Sequence, residues 1–264
     1  MTSAVRIVRR VNGLGLGTML ALVGLWETLV RTGTVEFQFL PAPSGVAGSA
    51  SRLLASGDMG ANVAHTVQVT VLGWVLASAL GIGLGLLLGL SGTAWRYSMA
   101  SIEVVRAIPP VSLVPVALLV FGFSIRMELM IILFVSAWPV LVTTIDGARG
   151  VRAELLDVAR MLRMSRLVRI RRVVLPAAMP SILVGLRLAL SLSLVLAVVA
   201  EMIGNPHGLG NALTSAQQAL QPEEMFAYVF AIGGLGIALN AVVGYASARL
   251  VPSAAGQRSR EVRP

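Results

Sequence analysis

The sequence predicts an all-α, polytopic membrane protein with about six transmembrane helices. Two observations carry this. Of 264 residues, 56% are hydrophobic and only 12% charged, with mean hydropathy +0.83, whereas soluble domains average about 25% charged residues. The apolar residues also fall in runs near 20 residues long, the length of helix that crosses a hydrocarbon core.

Six runs qualify, in order. The first is roughly 12–30, "NGLGLGTMLALVGLWETLV". Arg6, Arg9 and Arg10 precede it as a signal peptide's basic start would. The run is long for a signal core, however, and no A-x-A site follows, so it is read as a retained span. The second, roughly 66–91, contains "VLGWVLASALGIGLGLLLGL". Gly85 and Gly89 there are spaced for close packing between membrane helices. "GIGLGLLLG" lacks the preceding strand and the spacing of a nucleotide-binding fingerprint. The third, roughly 99–122, is broken by Pro109, Pro110 and Pro115. Each removes a backbone donor, so the break is expected to face protein or a path through the membrane rather than lipid. A purely structural kink is the alternative. The fourth is roughly 127–145, the fifth 180–203 and the sixth 225–249. Three parts follow. Residues 1–62 hold an N-terminal segment, the first span and an external loop. Residues 63–250 form a core of five spans, including a cytoplasmic segment at 150–176. Residues 251–264 are a basic tail.

Six spans place both termini on one side. Every basic residue is Arg. Arg6, Arg9, Arg10, Arg96, Arg149, Arg152, Arg160, Arg163, Arg166, Arg169, Arg171, Arg172, Arg258, Arg260 and Arg263 fall in one set of loops, and only Arg31, Arg52 and Arg126 in the other. The positive-inside rule puts the first set, and both termini, in the cytoplasm. "FLPAPSG" at 39–45 and "GNPHGLG" at 204–210 then lie outside as turn-rich loops. The net charge of +9 resides between apolar spans, which points to lipid, topology or a protein partner rather than nucleic acid.

Composition also excludes chemistry. With no Lys the chain has no phosphate-binding P-loop. With no Cys it has neither disulfides nor thiolate ligands. Its two histidines, His65 and His207, are far apart in sequence and suggest no metal cluster. Ionisable residues within spans are functional candidates. Glu27 lies near the end of span one. Glu103 and Arg106 form an i,i+3 pair early in span three. Arg187 is placed to snorkel from span five, and Glu201 lies near that span's outer end. No row of midplane carboxylates suggests a proton-coupled pump.

The least membrane-like stretch is "ELLDVARMLRMSRLVRIRRVVLPAAMP", residues 154–180. Leu155, Val158, Ala159 and Leu162 share one stripe at helical spacing. Glu154 and Asp157 open the helix where its dipole favours acid, arginines crowd the later turns, and Pro176 is expected to end or turn it. Such a helix lies on a membrane surface with its arginines at lipid phosphates, or docks its stripe into a groove on a partner.

At this point the residues resemble a known family. "DVARMLRMSRLVRIRRVVLPAAMP" is similar to the cytoplasmic signature of ATP-binding-cassette (ABC) importer permeases, E-A-A-x3-G-x9-I-x-L-P. Asp157, Val158 and Ala159 stand for E-A-A, Arg163 for the Gly, and Val173, Leu175 and Pro176 for I-x-L-P. "LWE" at 25–27, "FLPAPSGV" at 39–46, "VVRAIPPVSLVPVALLVFGF" at 104–123, "LPAAMPSILVGLRLAL", "AEMI" at 200–203 and "GLG" at 208–210 resemble the branch that imports sulfonates, taurine, nitrate and pyrimidine precursors. The resemblance covers about residues 25–250. Two positions depart from it: Arg163 replaces a turn-forming Gly, and Val69 stands where many members carry Arg.

The resemblance implies a type I ABC importer permease in a prokaryotic inner membrane, multi-pass and not itself an enzyme. No cofactor belongs to this chain; ATP and Mg are bound by partner ATPase subunits. The other implied partners are an extracytoplasmic solute-binding protein, membrane lipid and a second copy of the chain. The segment 150–176 becomes a coupling helix, with Glu154, Asp157, Val158, Ala159, Leu162, Arg163, Leu175 and Pro176 meeting the ATPase. Arg106, Pro109, Pro110, Pro115, Arg187 and Glu201 become candidates for the translocation path or its gate. The substrate class implied is a small anion or a pyrimidine precursor. The alternative function is a channel or secondary transporter that needs no ATPase.

Overall fold

A computed structural model describes residues 13–33 and 39–250, and these contain helices and no strand. The basic N-terminal residues Arg6, Arg9 and Arg10 and the tail at 251–264 lie outside the described residues. α1 (Gly13–Arg31) and α2 (Pro43–Ser56) lead into α3 (Asp58–Leu90), α4 (Gly92–Arg106), α5 (Leu113–Phe121) and α6 (Ile125–Arg149). α7 (Ala153–Met161) and α8 (Arg166–Arg169) precede α9 (Leu175–Gly204), α10 (Leu209–Gln218) and α11 (Pro222–Leu250).

α3, α6 and α9 pack most extensively against one another and form the trunk. Glycine sets the α3–α6 distance. A Cβ on Gly81 would stand 2.8 Å from the Ala137 carbonyl, one on Gly85 2.6 Å from Thr144 Cβ, and one on Gly89 2.9 Å from Ala148 Cβ. The small-residue spacing read from the sequence is therefore a helix contact. Hydroxyl and indole groups tie the trunk across its helices: Ser193 Oγ donates to Ser136 Oγ at 2.9 Å, and Trp74 Nε1 to the Leu186 carbonyl at 2.9 Å. Val69 is fully buried in the apolar cluster with Val114, Met127, Ile131, Ile132 and Leu196. α2, α10 and α11 gather around the start of α3 through Val46, Leu53, Met59, Leu209 and Tyr228.

The structure bears out the all-α membrane fold and refines three expectations. The first is the span count. Among the described residues, four helices are long and apolar enough to cross a membrane: α3, α6, the run Arg166–Gly204 and α11. A fifth exists if α4 and the segment Pro110–Phe121, bent by 72°, make one broken span. α1, 19 residues long, lies where the first span is expected. Its last turns are polar, because Glu27 binds Arg31 and accepts from the Ser44 amide at 2.9 Å and the Ser44 hydroxyl at 2.8 Å.

Second, Pro176 does not end a helix. Arg166–Gly204 is one helical run of 39 residues. A π-turn at Ile170–Val174 directly precedes Leu175 and Pro176. An interior Pro clashes with the carbonyl four residues before it, which here belongs to Arg172 inside that widened turn. Third, the basic stretch is not one helix. It breaks after α7, where Arg163 has φ +47°. The Arg163 amide donates to the Arg160 carbonyl at 2.9 Å, and the Met164 amide to the Ala159 carbonyl at 3.1 Å. These are the paired bonds of a Schellman C-cap, which requires a left-handed residue where Arg163 stands. Ser165 then caps α8, its hydroxyl accepting from the Val168 amide.

Candidate functional site

The strand-free trunk has two chemically distinct ends. At one end, between α6 and α9, sits the segment 150–176. α7 is amphipathic. Ala159 is 1% exposed, whereas Val158 is 53%, Leu162 64% and Met161 82% exposed. Burying Ala159 fixes which face of α7 looks outward. This changes one sequence expectation: Ala159 packs into the chain itself instead of heading the outward stripe, which consists of Leu155, Val158, Met161 and Leu162. Glu154 lies in the first turn. Asp157 accepts from Arg160 Nη1 at 2.6 Å, an exposed i,i+3 pair. Leu175 and Pro176 sit at the start of α9. Arg149, at the end of α6, stacks 4.0 Å from the centroid of the Trp95 ring.

The proline-rich break lies along the side of the trunk. Pro109 is extended, Pro110–Ser112 forms one 3₁₀ turn, and α5 follows. Pro115 falls within the first turn of α5, where its missing donor is not needed. Val114 is buried, but Val111, Val116, Leu119, Val120 and Phe123 are exposed, Leu119 at 88%. Arg106 pairs with Glu103 at 3.2 Å, both exposed, as the i,i+3 spacing suggested. Arg187 donates to the Gly244 carbonyl of α11 at 3.2 Å. The path candidates are therefore not brought together: Arg106 and the prolines share one region, while Arg187 and Glu201 stand apart on α9.

At the opposite end of the trunk, α3, α6 and α9 bring a polar cluster into the protein. Glu201 is 1% exposed and Glu128 is completely buried. Thr66 Oγ1 lies 2.8 and 3.0 Å from the two Glu201 oxygens, and the Gly210 amide donates to Glu201 Oε2 at 2.8 Å. The Leu209 amide donates to Thr66 Oγ1 at 2.9 Å. Asn205 Nδ2 donates to Glu128 Oε1 at 2.6 Å, and the His207 amide to Asn205 Oδ1 at 3.1 Å. The loop "GNPHGLG" thus folds back over the carboxylates. Gly208, at φ +96°, lies so close that a Cβ would stand 2.2 Å from Glu201 Cδ.

His65 and His207, far apart in sequence, have ring centroids 5.9 Å apart. His65, Glu128 and Glu201 offer ligand atoms within 4.8 Å of one another. The sequence reading found Glu201 but missed Glu128, His65, Thr66 and Asn205. One signal was available: Glu128 is an acid inside the apolar run "MELMIILF", a rarity that marks function or structure in a membrane.

The family model for the binding-protein-dependent transport system inner membrane component matches residues 81–255. The chain belongs to this family. It is similar to a putative aliphatic sulfonates transport permease protein of Bacillus subtilis, 32% identical over 223 residues, covering 84% of this chain and 78% of that one. It is also similar to a nitrate import permease protein of Leptolyngbya laminosa, 32% identical over 190 residues and covering 72% and 68%. A bicarbonate transport system permease protein of Synechococcus elongatus is 32% identical over 174 residues, covering 66% and 63%. In fold, this permease-family chain resembles the MetNI methionine ABC transporter in inward-facing conformations, with TM-score 0.61, 17% identity and coverage of 73% and 94%. An amino acid ABC transporter structure gives TM-score 0.58 at 18% identity, covering 75% and 94%.

Proposed function

We propose that this chain is the membrane-spanning permease subunit of an ATP-driven importer that takes up a small anion delivered by an external binding protein. The observation that carries the reading is α7: a short helix whose Leu155, Val158, Met161 and Leu162 stand outward beside Glu154 and the Asp157–Arg160 pair. Among the described residues nothing covers that apolar face, and a short amphipathic helix of this kind suits a groove on an ATPase subunit. The ATPase binds ATP and Mg; the permease supplies the moving path. A sulfonate, nitrate or bicarbonate-like solute fits the relatives' names.

The exposed side of α5 and the proline break suits contact with a second permease copy across a two-fold axis, with the path between them. Arginine asymmetry supports cytoplasmic placement of α7 and both termini, with the 204–210 loop outside. Lipid phosphates suit Arg166 and Arg169, which line a cleft of about 600 Å³ with Leu86, Leu87 and Leu90. Reconstitution tests the reading. Proteoliposomes holding the permease with its cassette ATPase and binding protein should take up solute only with ATP. Equal uptake without the ATPase would establish a channel or secondary transporter instead. Single cysteines at 162 and 207 test orientation in intact cells. An impermeant thiol reagent should label 207 and spare 162, and the reverse pattern would invert the topology.

A further inference from the structure

The buried cluster at the end of the trunk opposite α7 has a charge problem that its hydrogen bonds leave open. Glu128 and Glu201 are both inaccessible, and among the described residues His65 is the basic side chain grouped with the two carboxylates, with the His207 ring 5.9 Å from its own. A charged imidazole would still leave one negative charge over. Burying unpaired charge is among the most unfavourable arrangements in a protein interior. Glu201 is well held by Thr66 and Gly210. Glu128 is not: Oε1 accepts from Asn205, but Oε2 is buried without a hydrogen bond. Oε2 does lie 3.4 Å from His65 Nε2. That contact is not a hydrogen bond, and it is close to the edge of about 3.3 Å between two ligands of a tetrahedral ion with 2.0 Å bonds. The three ligand atoms lie within 4.8 Å of one another, so an ion would draw them closer and would take the His65 Nε2 that now lies 3.4 Å from Asn205 Nδ2.

We infer that His65, Glu128 and Glu201 form a binding site for a divalent transition cation, Zn²⁺ or Mn²⁺, which braces α3, α6 and α9 at this end of the trunk. One imidazole nitrogen with two carboxylates is a donor set such ions accept. The three ligands come from three different helices, so the ion adds a shared centre to elements that packing and a few hydrogen bonds already join. Asn205 orients Glu128, and Thr66 with the Gly210 amide orients Glu201, the support that metal-ligating carboxylates ordinarily have. A route in exists. His65 is 22% exposed on its side chain, and a cleft of about 350 Å³ bounded by Phe123, Met202, Asn205 and Asn211 reaches Glu201. The inference is independent of the transported solute.

The test uses the full chain in detergent, freed of any affinity tag and stripped with EDTA, then dialysed with Zn²⁺ or Mn²⁺. Elemental analysis should find about one ion per chain, and reloading should raise the melting temperature by several degrees. Co²⁺ should give visible d–d bands. Glu128→Gln and His65→Gln should each weaken binding at least about tenfold and abolish those bands, while His207→Gln leaves both intact. If a Gln variant fails to fold, His65→Cys keeps a ligand in place and should shift preference toward Cd²⁺. A wild-type chain that binds no ion, and whose melting ignores EDTA, overturns the inference and leaves a cluster neutralised by shared protons. Binding undiminished in Glu128→Gln, or lost equally in His207→Gln, also overturns it.

Discussion

Arg163 offers the sharpest test of how sequence, turn and coupling connect. It occupies the left-handed position of the Schellman cap that closes α7, at φ +47°. A residue with a Cβ loses roughly 1–2 kcal/mol in that region. Gly avoids the clash but loses about 0.5–1 kcal/mol more chain entropy on folding. The net advantage of Gly over Ala at 163 is therefore about 1 kcal/mol. Comparing Arg163→Gly with Arg163→Ala isolates this term, since both remove the same charge from the helix C-terminus. That charge itself is worth about 0.3–1 kcal/mol, so Gly should roughly match or slightly exceed the wild type. For a chain this long, 1 kcal/mol corresponds to about 2–4 °C in melting temperature. Melting followed by tryptophan fluorescence in detergent should place Gly above Ala by that amount. ATPase retention should follow the same order, because the turn sets the direction of α7. An Ala variant as stable as Gly, or more so, would show that the turn is not held left-handed and would refute the argument.

Other residues give separable outcomes. Ala159→Asp places a carboxylate where the side chain is 1% exposed within the permease, so it should lower the melting temperature of the permease alone, by several kcal/mol of stability; Val158→Asp, on the outward face, should leave melting unchanged and weaken ATPase co-purification. Gly85→Val would drive a side chain into Thr144 and the Leu141 carbonyl, costing about 1–3 kcal/mol or more, and the yield of folded monodisperse protein should fall sharply. Thr66→Val keeps the shape but removes a donor to Glu201 and the acceptor for the Leu209 amide. Leaving those groups unpaired costs about 1–3 kcal/mol, which thermal melting will read; Thr66→Ser should restore most of it.

The fold was legible where one signal dominates. Apolar length located α3, α6, α9 and α11 to within a few residues at their membrane-facing parts, because only a helix satisfies its backbone in lipid. The spacing of Gly85 and Gly89 marked a close-packing face on α3; the structure adds Gly81 and shows that the partner is α6, where a Cβ at 81, 85 or 89 has no room. Helix ends were harder. The α3 run extends back to Asp58 through "DMGANVAH", a polar stretch that hydropathy assigns to a loop. It is helical because Met59 packs in the cluster with Leu53 and Tyr228. Pro176 misled for the opposite reason. A proline breaks a helix when its neighbours cannot adjust, and here the π-turn at Ile170–Val174 adjusts for it, a tertiary accommodation that no local rule contains.

The site divides along the same line. The segment at 150–176 stood out by its arginines among apolar spans, and its resemblance to the permease signature, from Asp157 through Arg163 to Pro176, gave it a proposed role. Which of its side chains face out was not legible, because a helix of nine residues has more than one apolar stripe. Leu155, Val158, Ala159 and Leu162 satisfy the period equally, and only packing against the trunk turns Ala159 inward. The opposite end was legible one residue at a time but not as a cluster. Thr66 and Glu201 are separated by 135 positions, and Glu128 and Asn205 by 77; no periodicity links them. What joins them is antiparallel register: α3 and α6 begin, and α9 finishes, at the same end of the trunk. An acid in the first turn of α6 and one in the last turns of α9 must then meet, and the His in the second turn of α3 faces both. Intramembrane charges are therefore best read in pairs set by helix direction, since each alone looks like an isolated burial cost and together they define a site.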